Sequence, residues 1–336
     1  MSGARTDGRL GRIVRLLSGH AMVVVSGTKI AEEIGTTRSA VWRFVQQLRG
    51  MGVRIAGHPA TGYRLESIPD LLLPEVLRPM LKGTVFAERI HHYFRVGSTN
   101  SEAMQSAAAG EPEGSVFLAE EQTAGRGRGN HAWHSEKSAG IYCSVILRPE
   151  LAPADTLGLT LAAGLAVHAA VEQVTGIKAD LRWPNDLLLG GKKFCGILTE
   201  MNAEPTRVRW IVVGMGINVN QAAFPAALRE QATSLRIETG RAWSRVELAA
   251  ALLKSLDREC RHIFSHLGGV GPQQALGEVI RRFEERSSWA RGRRVRVEEN
   301  GGYEGVTEGL EARGFLRVRT ESGMRTVLSG GVRALE

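Results

Sequence analysis

Leu10, Ile13, Val14 and Leu17 recur at spacings of three and four, the apolar face of a helix closed by Ser18-Gly19. A second helix is predicted over 28–34, ended by Gly35, a residue suited to a left-handed C-cap. After Gly35-Thr36-Thr37, the residues Val41, Phe44, Val45 and Leu48 mark a third apolar face that ends near Gly50. Two short helices across a glycine-containing turn read as helix-turn-helix. Val53-Arg54-Ile55 and Tyr63-Arg64-Leu65, on either side of the His58–Gly62 turn, predict a two-stranded wing. Pro69, Pro74 and Pro79 then punctuate a linker over 67–82, with room for one short helix between Asp70 and Leu81.

From residue 83 to 285 strand and helix patterns are mixed. Val116–Ala119, Ile141–Leu147 and Trp210–Val213 read as strands. Thr156–Val174 reads as a long helix ended by Gly176, and Arg245–Ile263 as another, with Leu248, Leu252 and Leu256 stacked at spacing four. Leu187–Leu189 and Phe194–Leu198 flank Gly190-Gly191, a hairpin signal. Over 286–336, short alternating strands separated by Asn300-Gly301-Gly302 and Glu321-Ser322-Gly323 predict a small barrel. The class expected is α+β, in three domains: 1–66, 83–285 and 286–336.

Charge sharpens this division. Of the net +8, +6 falls within residues 1–66, where ten basic residues face four acidic ones. A basic head on a nearly neutral body suggests a polyanion-binding module. On the third helix, Arg38, Ser39, Trp42, Arg43, Gln46 and Arg49 face away from the apolar stripe. Arg and Gln bond base edges bidentately, and Arg also holds phosphates, so DNA is the expected partner. A three-helix protein-interaction module is the alternative. Cys143, Cys195 and Cys260 form neither a metal pattern nor a disulfide framework. No apolar run reaches the roughly 18 residues that span a bilayer, and the first residues lack the apolar stretch of a secretion signal. A cytoplasmic location with reduced thiols is expected. His91, His92, His131 and His134 show no ligand spacing and are expected on the surface or in loops.

The chemistry concentrates between two strands, in Gln122–Asn130, where Gly125, Gly127 and Gly129 alternate with Arg126 and Arg128. Glycines let backbone N–H groups approach an anion, and guanidinium groups bind phosphate or carboxylate bidentately. A flexible basic loop that orders around a ligand is expected. Dinucleotide binding is disfavoured: Gly214-Met215-Gly216 follows a strand, but Val219 stands where a third glycine is required. The phosphate-loop pattern ending in Lys-Ser/Thr is absent.

Five motifs in order make the chain similar to the biotin protein ligases of the bifunctional type that also repress the biotin operon. They are Ser98-Thr99-Asn100, Gln122–Trp133, Trp183-Pro184-Asn185-Asp186, Lys193–Leu198 and Gly214–Asn218. The resemblance implies a winged head, a central mixed-sheet ligase domain of the class II synthetase type and an SH3-like barrel at the C-terminus. It implies formation of biotinyl-5′-AMP from biotin and Mg2+-ATP, then transfer of biotin to a lysine of the biotin carboxyl carrier protein of acetyl-CoA carboxylase. It further implies an adenylate-promoted homodimer on operator DNA.

By the same resemblance, Ser98, Thr99 and Gln122 hold the ureido ring, Asn100 is a further biotin-binding residue, and Gly196 makes a backbone contact beside biotin. Gly125, Arg126, Gly127 and Arg128 wrap the carboxylate and phosphate. Trp133, Asn185, Asp186 and Asn218 surround the nucleotide, with Mg2+ carried by ATP near Asp186. The pattern Thr99-x-x-Glu102 also reads as a helix capping box. The family places a lysine before Trp-Pro-Asn-Asp to polarise the reacting groups, and this chain has Arg182 there. Arg182 is expected to serve as that clamp, although arginine and lysine are not interchangeable at a tight site. A non-catalytic biotin sensor and a lipoate-type ligase are the competing readings.

Overall fold

The computed structural model describes residues 2–20, 23–58, 61–265, 272–299, 301–328 and 331–335. Pro59 and Ala60 of the predicted wing turn, and Asn300 of the tail, lie outside the described residues.

The head contains α1 (Ser2–Ser18), α2 (Gly27–Ile34), α3 (Arg38–Gly50) and the antiparallel pair β1 (Arg54–His58) and β2 (Gly62–Ser67). Ser26 Oγ accepts the Lys29 N–H at 3.1 Å, and Thr37 Oγ1 accepts that of Ala40 at 3.3 Å, so both helices start on side-chain caps. Gly35, at φ 62°, ends α2 in the left-handed conformation. Leu10, Ile13, Leu17, Ile30, Val41 and Leu48 meet in one core. Arg49 does not face outward with its helix neighbours: its guanidinium donates to Ile55 O at 2.6 and 3.1 Å and clasps the wing.

The linker is a buried strap. Leu71 and Leu73 enter the head's core, whereas Leu72 between them enters that of the body. Successive leucines on opposite sides of the strap tie the two cores together. α4 (Pro74–Met80) follows, with Leu77 and Leu81 in the body, while Phe94 of the body packs back into the head.

The body is built on a seven-stranded sheet of order β3-β4-β5-β9-β8-β7-β6. Its strands are β3 (Ile90–Tyr93), β4 (Val116–Ala119), β5 (Gly140–Leu147), β6 (Asp180–Arg182), β7 (Asp186–Leu189), β8 (Lys192–Ala203) and β9 (Val208–Asn218). Only the β3–β4 pair is parallel. Odd-numbered residues of β5 and β9, such as Val145 and Val213, join a core that includes residues of α6 (Leu157–Thr175), α8 (Arg245–Ser265) and α9 (Pro272–Glu284). Even-numbered ones, such as Ile146 and Val212, share a second core with Ala103 and Ala107 of α5 (Thr99–Ala108). The segment Pro153–Thr175 is long and apolar enough to cross a membrane, but 78% of its apolar window is buried inside the fold. A short α7 (Leu235–Thr239) follows β9.

The tail forms β10 (Arg291–Val297), β11 (Tyr303–Leu310), β12 (Leu316–Thr320), β13 (Gly323–Val327) and β14 (Val332–Ala334). They make an antiparallel sheet of order β13-β12-β11-β10-β14 whose valines continue the body's core. Trp183 Nε1 donates to Gly314 O at 2.8 Å and fixes this sheet to the body.

Candidate functional site

Where the even-numbered face of β5 and β9 meets the start of α5, a pocket opens. Its open space is roughly 430 Å³, part of it continuous with solvent at the mouth. Ser98, Thr99 and Asn100 form one wall, each only 4% exposed. The capping-box reading does not hold: Ser98 is the N-cap and makes no side-chain cap bond. Thr99 instead donates its N–H and hydroxyl to Gln122 Oε1 at 2.8 and 3.2 Å. Gln122 Nε2 donates to Ser135 Oγ at 2.9 Å. The Ser144 hydroxyl lies 2.8 Å from Thr99 Oγ1 and 2.6 Å from Asn100 Oδ1. Asn100 Nδ2 reaches Glu200 Oε2 at 2.9 Å, and the same oxygen receives Arg126 Nη2 at 2.8 Å. One polar chain therefore runs from the Gln122 amide to a loop guanidinium.

The Gly/Arg loop folds back on itself as a small hairpin. Trp133 N–H donates to Gly125 O at 2.9 Å and Gly127 N–H to His131 O at 2.7 Å. Arg126, Gly127 and Arg128 line the pocket; Gly125 stands just behind, where a Cβ would come within 2.7 Å of Trp133 O. Trp133 lies across β8 and β9 at Gly196 and Gly216, where added Cβ atoms would fall 3.0 and 2.6 Å from its ring. Gly214 and Gly216 are strand residues, bare so that side chains can lie over them. A Cβ at 214 would overlap Asn100 Oδ1. Gly214→Ala is therefore expected to displace Asn100 and weaken ligand binding at least tenfold with the fold retained, about 1.4 kcal/mol or more, as calorimetric titration would show.

The cations are arranged differently from the sequence expectation. Arg182 does not line the pocket; its Nη2 bonds Asp186 Oδ2 at 2.5 Å, and its guanidinium carbon lies 5.3 Å from the Trp289 ring centre. The ammonium at the wall is that of Lys193, which sits 2.5 Å from Asp186 Oδ1 and 5.5 Å from the Trp133 ring centre. Asp186 thus bridges two cations behind the wall. With both of its oxygens engaged it does not fit the role of a resident metal ligand. Among the described residues no group of three or more His, Cys, Asp or Glu is placed to hold a metal ion.

Asn185 lines the pocket, its Nδ2 held by Ile197 O at 2.8 Å. Asn218 does not reach it. It is buried behind, donating to Thr233 O at 3.1 Å and accepting from Gln221 Nε2 at 3.2 Å. Sequence reasoning also missed Tyr142 and Cys143 of the wall. Burial pushes the Cys143 thiol up to about 12, so it is a neutral surface. Burial likewise raises the Tyr142 phenol, which donates to Glu136 O at 2.8 Å. Lys193 and Glu200 were both legible as charged residues in or just after the Lys193–Leu198 motif.

Behind the pocket, two residues before Gln122, Glu120 is 1% exposed. It accepts the Leu72 N–H at 2.9 Å, contacts His92 Nε2 at 3.1 Å and pairs with Arg245 Nη2 at 2.8 Å. Burial raises its pKa, but His92, Arg245 and the Leu72 N–H outweigh that and hold the carboxyl at about 2. His91 and His92 are not loop residues: they lie in β3, and the His92 side chain is 5% exposed.

On the head, Arg38, Ser39, Trp42 and Arg43 are exposed along α3 and Gln46 is half-buried. Arg38, Ser39 and Trp42 border a groove closed by Tyr63 of the wing.

Residues 95–218 match the Biotin/lipoate A/B protein ligase family, 9–64 an HTH domain and 291–332 the Biotin protein ligase C terminal domain. The bifunctional ligase/repressor BirA of Bacillus subtilis is 35% identical, over 95% of this chain and 97% of its own. The biotin–[acetyl-CoA-carboxylase] ligase of Mycobacterium tuberculosis is 37% identical over 70% of this chain and 84% of its own. The biotin protein ligase of Aquifex aeolicus, solved with biotin and ATP, superposes with a TM-score of 0.62 at 28% identity, covering 74% of this chain and 100% of that one. With the winged head, the ligase pocket and the C-terminal sheet matched in order along nearly its whole length, the chain belongs to the family of bifunctional biotin ligases and repressors.

Proposed function

We propose that the chain joins biotin to ATP as biotinyl-5′-AMP, passes biotin to a lysine of the biotin carboxyl carrier protein of acetyl-CoA carboxylase, and represses transcription through its head. In the first step a biotin carboxylate oxygen attacks the α-phosphorus and the bond to the β-phosphate oxygen breaks, releasing pyrophosphate. In the second the carrier amine attacks the biotinyl carbonyl, loses a proton, and AMP leaves.

Both steps gather negative charge that fixed cations stabilise. The carrying observation is that Lys193, Arg126 and Arg128 share one pocket with the Thr99–Gln122 pair. A ureido ring needs donors and acceptors together, which that pair and its neighbours supply. Lys193, rather than Arg182, takes the place of the clamp beside the carboxylate and α-phosphate. Trp133 offers a ring face to the nucleotide, and Asn185 bounds it. Mg2+ bound with ATP would neutralise phosphate charge there, and the wall residues bind and orient the reacting groups.

The residue assignments divide the chain at 66, 82 and 285, with the tail read as an SH3-like barrel and the body as class II synthetase-like. Purified protein should biotinylate a carrier domain in an ATP-dependent manner. Tight biotin binding without transfer would favour a non-catalytic sensor instead.

For the head, we assign Arg38, Ser39, Trp42, Arg43 and Gln46 to operator DNA, bound by a homodimer that the adenylate favours, in the cytoplasm. A ligand that prefers the dimer-competent state shifts assembly toward it. The logarithm of DNA affinity should fall with that of salt at a slope of about −0.9 per phosphate contacted, and Arg43→Ala should lessen that slope by about one. Fluorescence anisotropy over a salt series measures both, and an unchanged slope in the variant would remove Arg43 from the interface.

A further inference from the structure

One carboxylate in the site belongs to none of the roles above. Glu200 lies on β8, its side chain 25% exposed, and a single oxygen accepts from both Asn100 Nδ2 and Arg126 Nη2. Asn100 Nδ2 also reaches Leu198 O at 3.3 Å, and its Oδ1 faces the Ser144 hydroxyl. An ionised carboxylate only accepts hydrogen bonds. Together with Leu198 O, Glu200 therefore directs the Asn100 NH2 toward β8 and its oxygen toward Ser144. The Ser144 hydroxyl then donates to Asn100 Oδ1, next to Thr99, whose own hydroxyl donates to Gln122 Oε1. At its other side Glu200 engages one edge of the Arg126 guanidinium, leaving further N–H donors for an anion.

We propose that Glu200 is a positioning residue that, through one oxygen, holds both the Asn100 amide of the biotin wall and the Arg126 guanidinium in their binding orientations. This deepens, and rests on, the ligase reading: it makes recognition of the neutral ring and of the anionic end of the same ligand interdependent. The ion pair itself is too exposed to contribute much to folding, since its guanidinium side chain is 42% accessible. Its effect therefore falls on the ligand. Glutamine at 200 can still offer one oxygen to both donors, but it lacks the charge that holds the Arg126 guanidinium and strengthens both bonds.

The experiment compares wild type, Glu200→Gln, Arg126→Ala and the double variant, by calorimetric biotin binding, KM for biotin and dissociation of preformed biotinyl-5′-AMP. Glu200→Gln should raise the biotin Kd and the adenylate dissociation rate about tenfold each, with an unchanged urea midpoint. The double variant should fall short of the product of the single effects on dissociation by at least about threefold, because the two residues act as one unit. Glu200→Asp, which keeps an acceptor-only group on a shorter stem, should recover part of the biotin affinity and serves if the glutamine variant does not fold.

Wild-type binding in Glu200→Gln, or single effects that multiply without shortfall, would overturn the proposal. Wild type that binds biotin but forms no adenylate would overturn the ligase reading separately. The effect of Glu200→Gln on biotin binding would then still decide whether it sets the wall.

Discussion

Lys193→Ala is expected to slow biotinyl-5′-AMP formation by about 10²–10³-fold, the usual loss when a preorganised charge-stabilising group is removed. Lys193 is the one lysine at the pocket wall among the described residues, and Asp186 holds its ammonium in place. Its backbone is secured independently, with its N–H donating to Gln231 O at 2.8 Å and its carbonyl accepting from Thr233 at 3.0 Å. Removing the side chain should therefore leave the strand intact. Pyrophosphate release under saturating biotin and ATP measures the loss. Lys193→Arg should not restore the rate, because a planar guanidinium has a different shape and hydration from a compact ammonium. Arg182→Ala should cost much less, since Arg182 reaches the pocket only through Asp186. Equal losses in the two variants would return the clamp to Arg182.

The second large effect concerns folding. Arg245 is 1% exposed, pairs with Glu120, donates to Gly140 O at 3.1 Å and also bonds Asp70 O. Arg245→Met should destabilise the protein by about 3–5 kcal/mol, the cost of leaving a buried charge without its partner. Adding Glu120→Gln should recover part of that loss. Urea unfolding of the two variants provides the comparison.

Acid makes the related point without mutation. Glu120 titrates near 2 in the folded protein, against an ordinary 4.5. The unfolded chain thus takes up the proton first as pH falls. The contribution of Glu120 is whole above about 4.5 and is lost on descending toward 2. The urea midpoint should drop over that interval in wild type, and by less in Glu120→Gln. Equal acid sensitivity would contradict the linkage.

Several elements were plain in the sequence because their chemistry was local. The head's helices announce themselves by spacing and caps, and Gly190 and Gly191 adopt the positive φ angles their hairpin needs. What escaped notice was set by tertiary partners. β3 contains two histidines and reads as polar, yet Glu111 and Glu120 satisfy them and let the strand pack against the body. The start of α5 is polar because the pocket, not the core, uses it. Gly214 and Gly216 look like loop residues until Asn100 and Trp133 are seen lying over them. The prolines around 67–82 suggested a tether, and so hid three leucines buried in two different cores. Lys193 was in view throughout, but nothing local to its motif separates a pocket ammonium from a solvated one.

That strap has a consequence for any attempt to obtain the ligase without its head. A cut made after the wing leaves Leu71, Leu73 and Phe94 stripped of the core that covers them. Bared together, these side chains would form a sticky apolar scar on the body. A soluble headless enzyme therefore needs polar replacements at 71, 73 and 94. Leu72 and Asp70 must stay: the first fills the body's core, and the carboxylate of the second caps α8 through the backbone N–H groups of Arg245 and Val246.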